Sequence, residues 1–355
     1  MTVTTHGSAR RPGDFEQRLR FDEPLERALV HRHAADEVFV TDHVALDDGR
    51  FAVAARLPSA HPYFTDDPRP GAPLDAMLLL ECSRQAGTVV AHRHLGVPAD
   101  TAFLIAEWSI ALDDELRAPA LAVGPKGAGL GPGELTMITE VRDPKQRGEA
   151  LLGATLLSEL YLAGRRVATS TVITGYPSRP GYESFRTRRR DSPAPLSDAM
   201  PPRLGGTPAD SRAVGRTSEA NVVLSGVRRA DGQIVAGLDV PVAHPVFYDH
   251  PLDHVPATAL LEAARQAALL AVAPEAGPVG EAAAAWRVSA LSARFERFVE
   301  LDSPAEVSAR VERVRDGHAV RVLFEQGGAL ACDCAVTVSV PPLPAGSPAV
   351  ADGGR

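Results

Sequence analysis

The sequence predicts an α+β protein built twice over, each half a long helix enclosed by an antiparallel sheet. Three observations carry that expectation. First, the chain repeats itself: "VHRHAADEVFVTDHVALDDGRFAVAARLPSAHPYF" from Val30 matches "VGRTSEANVVLSGVRRADGQIVAGLDVPVAHPVF" from Val214, which sets Arg32 opposite Arg216 and His61–Pro62 opposite His244–Pro245. Second, each copy holds one helix-length segment with no polar side. Third, the second copy closes on segments that alternate apolar and polar residues, the pattern of half-buried strands.

Taken in order, a short strand region (Glu37 to Val40, then Phe51 to Leu57) leads to the His-Pro segment. A helix follows near Asp75 to His94, closed by Gly96 and Pro98. A helix that is apolar all round must be enclosed, and a curved sheet wrapping it gives a layered arrangement. In the second copy "EVSARVERV" alternates strictly. "HAVRVLFEQGGALACDCAVTVSV" turns at Gly327–Gly328 and puts Leu330, Cys332, Cys334, Val336 and Val338 on one face. "ELRAP" from Glu115 matches "ELDSP" from Glu300. The chain therefore divides into a tail (1–28), a first repeat (29–175), a Pro/Gly/Arg-rich linker (176–212), a second repeat (213–341) and a disordered tail (342–355). The linker's basic cluster, "RTRRRD" at Arg186 to Asp191, is expected to be solvated. An open sheet leaves an edge strand to protect, so the two halves should pack as a pseudo-dimer.

Composition narrows the function classes. At 355 residues and 45% hydrophobic, the chain can bury a full core. The N-terminus has no apolar h-region and no window approaches a membrane span, so a cytoplasmic protein with no membrane partner is expected. A net charge of −8 argues against nucleic acid as the main ligand. Cys82, Cys332 and Cys334 are read as core thiols. No Cys/His set has zinc spacing, so no metal and no cofactor is called for.

The anomaly lies inside the apolar helices. Glu81, Arg84 and Gln85, like Glu262, Arg265 and Gln266, stand at i, i+3 and i+4 and share one helix face. They are either an ion pair that the sheet covers or a site, since a guanidinium fork fits a phosphate or carboxylate ligand. His61 and His244 are either turn residues that cap nearby backbone or members of that site. Asp66 and Asp249 are expected to hold their loops through Asx-type hydrogen bonds. Trp108, Trp286, Phe295 and Phe298 belong to the core or line an acyl tunnel.

"HP-x-F-x-D" followed by "LLLE-x-x-RQ", present twice, resembles the A-factor-type γ-butyrolactone autoregulator synthases, the AfsA family, whose members carry two hotdog repeats. The resemblance runs from about Val30 to Val340. A more distant likeness is to β-hydroxyacyl-carrier-protein dehydratases, whose hotdog has a His before the helix and a Glu then Gln on it. Here the His-to-Glu stretch is longer, the Pro-Gly opening the helix is missing, and Arg84 and Arg265 are additions. The family resemblance implies transfer of a β-ketoacyl group from acyl carrier protein to the primary hydroxyl of dihydroxyacetone phosphate, a step in γ-butyrolactone signal biosynthesis.

Under that reading Glu262, and Glu81 beside it, take the hydroxyl proton, with a carboxyl pKa raised by burial. His244 and His61 complete the catalytic candidates. Arg265 and Arg84 hold the phosphate, while Gln266 and Gln85 bind on the substrate side by orienting the acid. The N-terminus of the central helix offers N–H donors to the thioester oxygen. Small alanines in "LLEAARQA" favour the second copy. No G-x-S-x-G nucleophile stands in the chain, so direct transfer is expected. The alternatives are a hotdog dehydratase or thioesterase, and a non-catalytic acyl-lactone binding protein.

Overall fold

A computed structural model describes residues 17–46, 49–69, 74–113, 133–188, 190, 192–203, 205–273, 286–314 and 317–339. The expected tail at 342–355, most of the tail at 1–28 and the "ELRAP" match at Glu115 lie outside the described residues. The first repeat contributes β1 (Val40–Ala45), β2 (Arg50–Arg56), α1 (Ala76–His94), β3 (Leu104–Leu112), β4 (Glu134–Arg147), β5 (Ala150–Leu162) and β6 (Arg165–Gly175). The helix α2 (Arg179–Thr187) follows. The second repeat contributes β7 (Leu224–Ala230), β8 (Gln233–Leu238), α3 (Ala257–Val272), β9 (Arg287–Phe295), β10 (Ala305–Val314), β11 (Gly317–Gln326) and β12 (Ala329–Ser339).

These strands form one antiparallel sheet in the order β1-β2-β4-β5-β6-β3-β9-β12-β11-β10-β8-β7. The order reads as a palindrome of two hotdogs. Their edges meet at β3 and β9, where Trp108 faces Ala293 and Ser109 faces Ser292. That pairing removes the one edge each half would otherwise leave open at its centre, as the pseudo-dimer expectation requires. On the outer face of the seam Arg294 donates to Glu107 (3.1 Å).

Each sheet wraps its helix because the helix has no surface to spare for water. In α1 every residue from Ala76 to Ala91 is buried except Arg84; in α3 every residue from Ala259 to Leu270 is buried. Contact with the sheet is close enough that a Cβ on Gly87 would come within 2.7 Å of Leu156 Cδ1. Asp75 starts α1 by accepting the Met77 N–H (2.9 Å), and Gly96 (φ +69°) follows its end. The α3 N-terminus has Pro256 and no side-chain cap. Cys332 and Cys334 are buried free thiols on one face of β12.

Two expectations need correction. The first strand begins at Val40, and Ala35–Glu37 form a 3-10 turn. The reason is side-chain competition: Phe39 and Val40 donate their N–H groups to Gln85 Oε1 (2.9 and 3.4 Å) and not to a neighbouring strand. The basic stretch at Arg186 is not a solvated linker either. Arg186 is buried over the Phe298 ring (4.3 Å) and forks onto Glu300 (2.8 and 2.8 Å) and Asp253 (2.9 Å), while Arg190 reaches Glu300 and Asp302. Guanidinium groups match paired carboxylates, which a reading of charge density alone ignores. The connecting segment is thereby pinned to the second repeat.

Candidate functional site: two buried acid clusters

The Glu of each helix is the hub of a cluster that both repeats build together. Glu262 Oε1 accepts from Arg216 Nε (3.0 Å), Arg265 Nη2 (2.7 Å) and Gln266 Nε2 (2.7 Å). Its Oε2 accepts from Arg216 Nη2 (2.9 Å), Arg265 Nε (2.8 Å) and the Tyr63 hydroxyl (3.0 Å). Tyr63 comes from the His-Pro loop of the other repeat. Arg216 crosses the same boundary, donating to Tyr63 O (2.8 Å) and Asp75 Oδ2 (3.0 Å), with its guanidinium 4.2 Å from the centre of the Tyr63 ring.

Glu81 repeats the plan. Oε1 accepts from Arg32 Nε (3.0 Å), Arg84 Nη2 (2.7 Å) and Gln85 Nε2 (2.7 Å), and Oε2 accepts from Arg84 Nε (2.8 Å). Arg32 Nη1 donates to Val246 O of the second repeat (2.7 Å). Val246 occupies the place of Tyr63, so no hydroxyl reaches Glu81.

These partners overturn the expectation of a carboxyl raised by burial. Burial does push both groups up, but for Glu81 the charges of Arg32 and Arg84 and the hydrogen bonds of Arg84 and Gln85 bring the net value down to about 2. For Glu262, Arg216 and Arg265 outweigh burial in the same way and hold it well below the usual carboxylate range. Burial and the neighbouring Glu262 charge push Tyr63 well above its ordinary value, so the phenol stays protonated and donates.

The other candidates divide by geometry. Gln266 is fixed by the strand backbone, accepting from Val223 N (3.1 Å) and donating to Asn221 O (2.8 Å), which aims its remaining N–H at Glu262. Gln85 is held likewise, donating to Glu37 O (2.7 Å). His61 Nδ1 accepts the N–H groups of Tyr63 and Phe64 (3.2 Å each), and its Nε2 lies 3.2 Å from Glu37 Oε1. His244 Nδ1 accepts from Val246 N (3.3 Å), and its Nε2 lies 3.0 Å from Asn221 Oδ1. Burial and the Arg216 charge, against the pull of Glu262, bring His244 down to about 4, so it is neutral near pH 7. Both imidazoles therefore cap their loops.

Among the described residues, Asp66 and Asp249 do not make the expected Asx-type bonds to their own loop backbone; their carboxylates reach across to the other repeat. Asp66 accepts from Thr217 N (3.0 Å), Ser218 N (3.2 Å) and Asn221 Nδ2 (2.6 Å), and Asp249 accepts from His33 N (2.7 Å), all in the opposite repeat. The aromatic candidates also separate: Trp108 is core, Phe298 is the pad under Arg186, and Trp286 packs edge-on to His318 (4.8 Å).

Arg32, Arg216, Tyr63, Asp75, Glu37 and Asn221 escaped the sequence reading. The two arginines had a signal, since the repeat aligns them, but nothing in the local sequence ties either to a helix some fifty positions away.

Around the clusters the two repeats diverge. Gly215 (φ +71°) stands beside Arg265, where a Cβ would come within 3.2 Å of Arg265 Nη1. The first repeat has His31 (φ 51°) at that place, with its ring on His92 (4.9 Å) and Phe103 (4.8 Å) and its Nε2 2.8 Å from His92 Nε2. A narrow crevice beside the start of α3, with enclosed space of about 20 Å³, is lined by Leu238, Val240, Tyr248, Val255, Val299 and Leu301 among others. The Tyr248 hydroxyl is buried without a partner.

The chain matches the model of the A-factor biosynthesis hotdog domain at residues 14–176 and again at 201–342. It is 32% identical to a 2-oxo-3-(phosphooxy)propyl 3-oxoalkanoate synthase of Streptomyces virginiae, covering 88% of this chain and 96% of that one. A protein of the same name from Streptomyces coelicolor is 34% identical over 86% of this chain and 89% of its own. Among solved structures, a 12:0-ACP thioesterase from Umbellularia californica overlays with a TM-score of 0.45 at 11% identity, covering 84% of this chain and 100% of that one. With the family model matched in both repeats, the chain belongs to the AfsA family, the A-factor biosynthesis hotdog proteins.

Proposed function

We propose that the chain is a 2-oxo-3-(phosphooxy)propyl 3-oxoalkanoate synthase that works in its second repeat. The observation that carries this reading is the likeness, over 86–88% of the chain, to proteins of that name. The name describes an ester of dihydroxyacetone phosphate with a β-keto acid. Acyl carrier protein in the cytoplasm is the donor in this reading, dihydroxyacetone phosphate the acceptor. The acceptor's primary hydroxyl attacks the thioester carbonyl, the C–S bond breaks, and the proton lost by the hydroxyl ends on the departing thiolate.

Glu262 is the group we assign to that proton. Held by two guanidinium groups it is a weak base, and base strength matters to the rate. The acceptor supplies a remedy: its phosphate competes for Arg265, whose Nη1 faces Gly215, and a carboxylate relieved of one guanidinium rises toward the ordinary range. Arg265 is thus the substrate-binding cation, Gln266 the group that orients the acid, and Tyr63 a hydroxyl that steadies it. Glu81, with Arg84 and Gln85, is the minor candidate because His31 occupies its mouth. His61 and His244 act on the site through the loops they cap.

Mass spectrometry of products from a β-ketoacyl thioester plus dihydroxyacetone phosphate tests the reading. A phosphorylated β-keto ester is expected. Thiol release without ester would favour a thioesterase, and an enoyl product from a β-hydroxyacyl thioester would favour a dehydratase.

A further inference from the structure

We infer that the start of β9 carries the anion subsite of the second repeat, in which Arg287 and Arg69 receive the phosphate of the acceptor; the identity of that anion rests on the function proposed above. Arg287 Nε and Nη1 are buried and have no hydrogen-bond partner among the described residues. Leaving such donors unmet is costly, more so on a charged group, and orphaned buried donors call for an explanation such as an absent ion. His318 Nδ1 is a second orphan, on a ring packed against the Trp286 indole one residue before Arg287.

Arg69 stands at the same point. Its Nη1 donates to Trp286 O (3.0 Å), while its Nε and Nη2 are taken by Asp67 (2.6 Å for Nε). Asp67 is bonded to Arg69, and among the described residues Arg287 has no carboxylate bonded to it. Burial and the nearby Arg69 charge lower Arg287's pKa by more than Asp67 raises it.

The subsite adjoins the Glu262 cluster. Burial raises Asp67, Arg69 more than offsets it, and Arg265 lies near enough to add to the lowering. Asp66, next in the chain, contacts Arg216 through its carbonyl (3.4 Å). Arg265, Asp67, Arg69 and Arg287 thus form one series that begins at the acid, and the phosphate of this proposal lies between Arg265 at its inner end and the Arg287–Arg69 pair at its outer end, accepting from both. The first repeat has no such series, since His250 and Leu252 stand where Asp67 and Arg69 do.

The test uses the full chain with Arg287→Gln, and Arg321→Gln as an exposed-arginine control. Inorganic phosphate is titrated by calorimetry and by its effect on the melting temperature, and KM is measured for dihydroxyacetone phosphate and for unphosphorylated dihydroxyacetone. Loss of a charged hydrogen-bond pair should weaken phosphate binding and raise KM for the phosphorylated acceptor by about 10- to 100-fold. The values for dihydroxyacetone and for the Arg321→Gln control should not move. The melting temperature without phosphate should hold or rise, because Arg287's buried donors have no protein partner to lose. Phosphate binding unchanged in Arg287→Gln would overturn the subsite, as would a melting temperature that falls with acceptor preference intact. Should the wild-type chain make no ester from either acceptor, the proposed function fails, while the direct phosphate titration still decides the subsite.

Discussion

The two repeats share one acid cluster and differ at its mouth, and the difference teaches which parts are architecture. Both carboxylates accept from two arginines and one glutamine, and in both the first arginine crosses to the other repeat. That shared set is what a pseudo-dimer needs at its centre. What differs is Tyr63 against Val246, Gly215 against His31 and Asp67–Arg69 against His250–Leu252. Tyr63 and the Asp67–Arg69 pair make the second cluster the more polar one, although its Arg265 is more enclosed than Arg84, 9% exposed against 18%.

The comparison breaks most directly at the hubs. Glu262→Gln and Glu81→Gln each leave two arginines without their carboxylate, and removing one partner of a buried ion pair costs about 3–5 kcal/mol. Both variants should therefore melt lower, against the simpler expectation that a Gln keeps the fold untouched. Only Glu262→Gln should also lose turnover, by about 10²–10⁴-fold, the worth of a general base. Equal turnover losses in the two variants would make the clusters purely structural, and a dead Glu81→Gln with an active Glu262→Gln would reverse the assignment.

Arginine variants sharpen the same contrast. Arg265→Ala and Arg84→Ala remove the fork that each makes with its helix's own Glu, so both should lower the melting temperature. In addition Arg265→Ala should raise KM for dihydroxyacetone phosphate by about tenfold or more. Unphosphorylated dihydroxyacetone should hardly notice. If Arg265→Ala melts early with acceptor preference unchanged, Arg265 is not a phosphate ligand.

A smaller effect is expected from Tyr63→Phe. It removes one hydrogen bond to the charged Glu262, worth about 1.5–3 kcal/mol, and has no counterpart in the first repeat. Turnover should fall several-fold, and the melting temperature should drop by less than in Glu262→Gln. Unaltered kinetics would leave the phenol as packing under Arg216.

How far the sequence reveals this can be read from particular residues. The repeats, the helix from Asp75 and the turn at Gly327–Gly328 are legible because period and turn chemistry are local. Glu81 and Glu262 stand out because a carboxylate in an apolar helix needs a reason. Arg216 and Tyr63 do not, for their role depends on a crossing between repeats that no spacing encodes. The sign of the Glu shift fails for the same cause: burial is visible in an apolar run, but the second arginine that reverses it is not. Arg186 shows the complementary failure, a charge run whose carboxylates, Asp253 and Glu300, lie far off in the chain.

The smallest expected effect concerns pH, and it isolates the first mouth. Burial, aided by the charge of Arg84, brings His31 down to about 3, so it is neutral in the folded protein. Unfolded, its value returns to about 6.5. Between those two values the unfolded chain binds more protons than the folded one, so stability rises with pH across that window and is lost as pH falls through it. His244, lowered to about 4, adds a contribution of the same sign. His31→Gly installs the residue the second repeat carries and suits the left-handed backbone at this position. Burial lowers His43 and His94 in the same direction, so the variant loses one contribution among several and its melting temperature should fall less steeply between pH 6.5 and 4 than that of the wild type. Thermal melts across that range decide it. A variant whose slope equals the wild type's would mean that His31 already titrates normally, and hence that the first mouth is open to water and not stoppered.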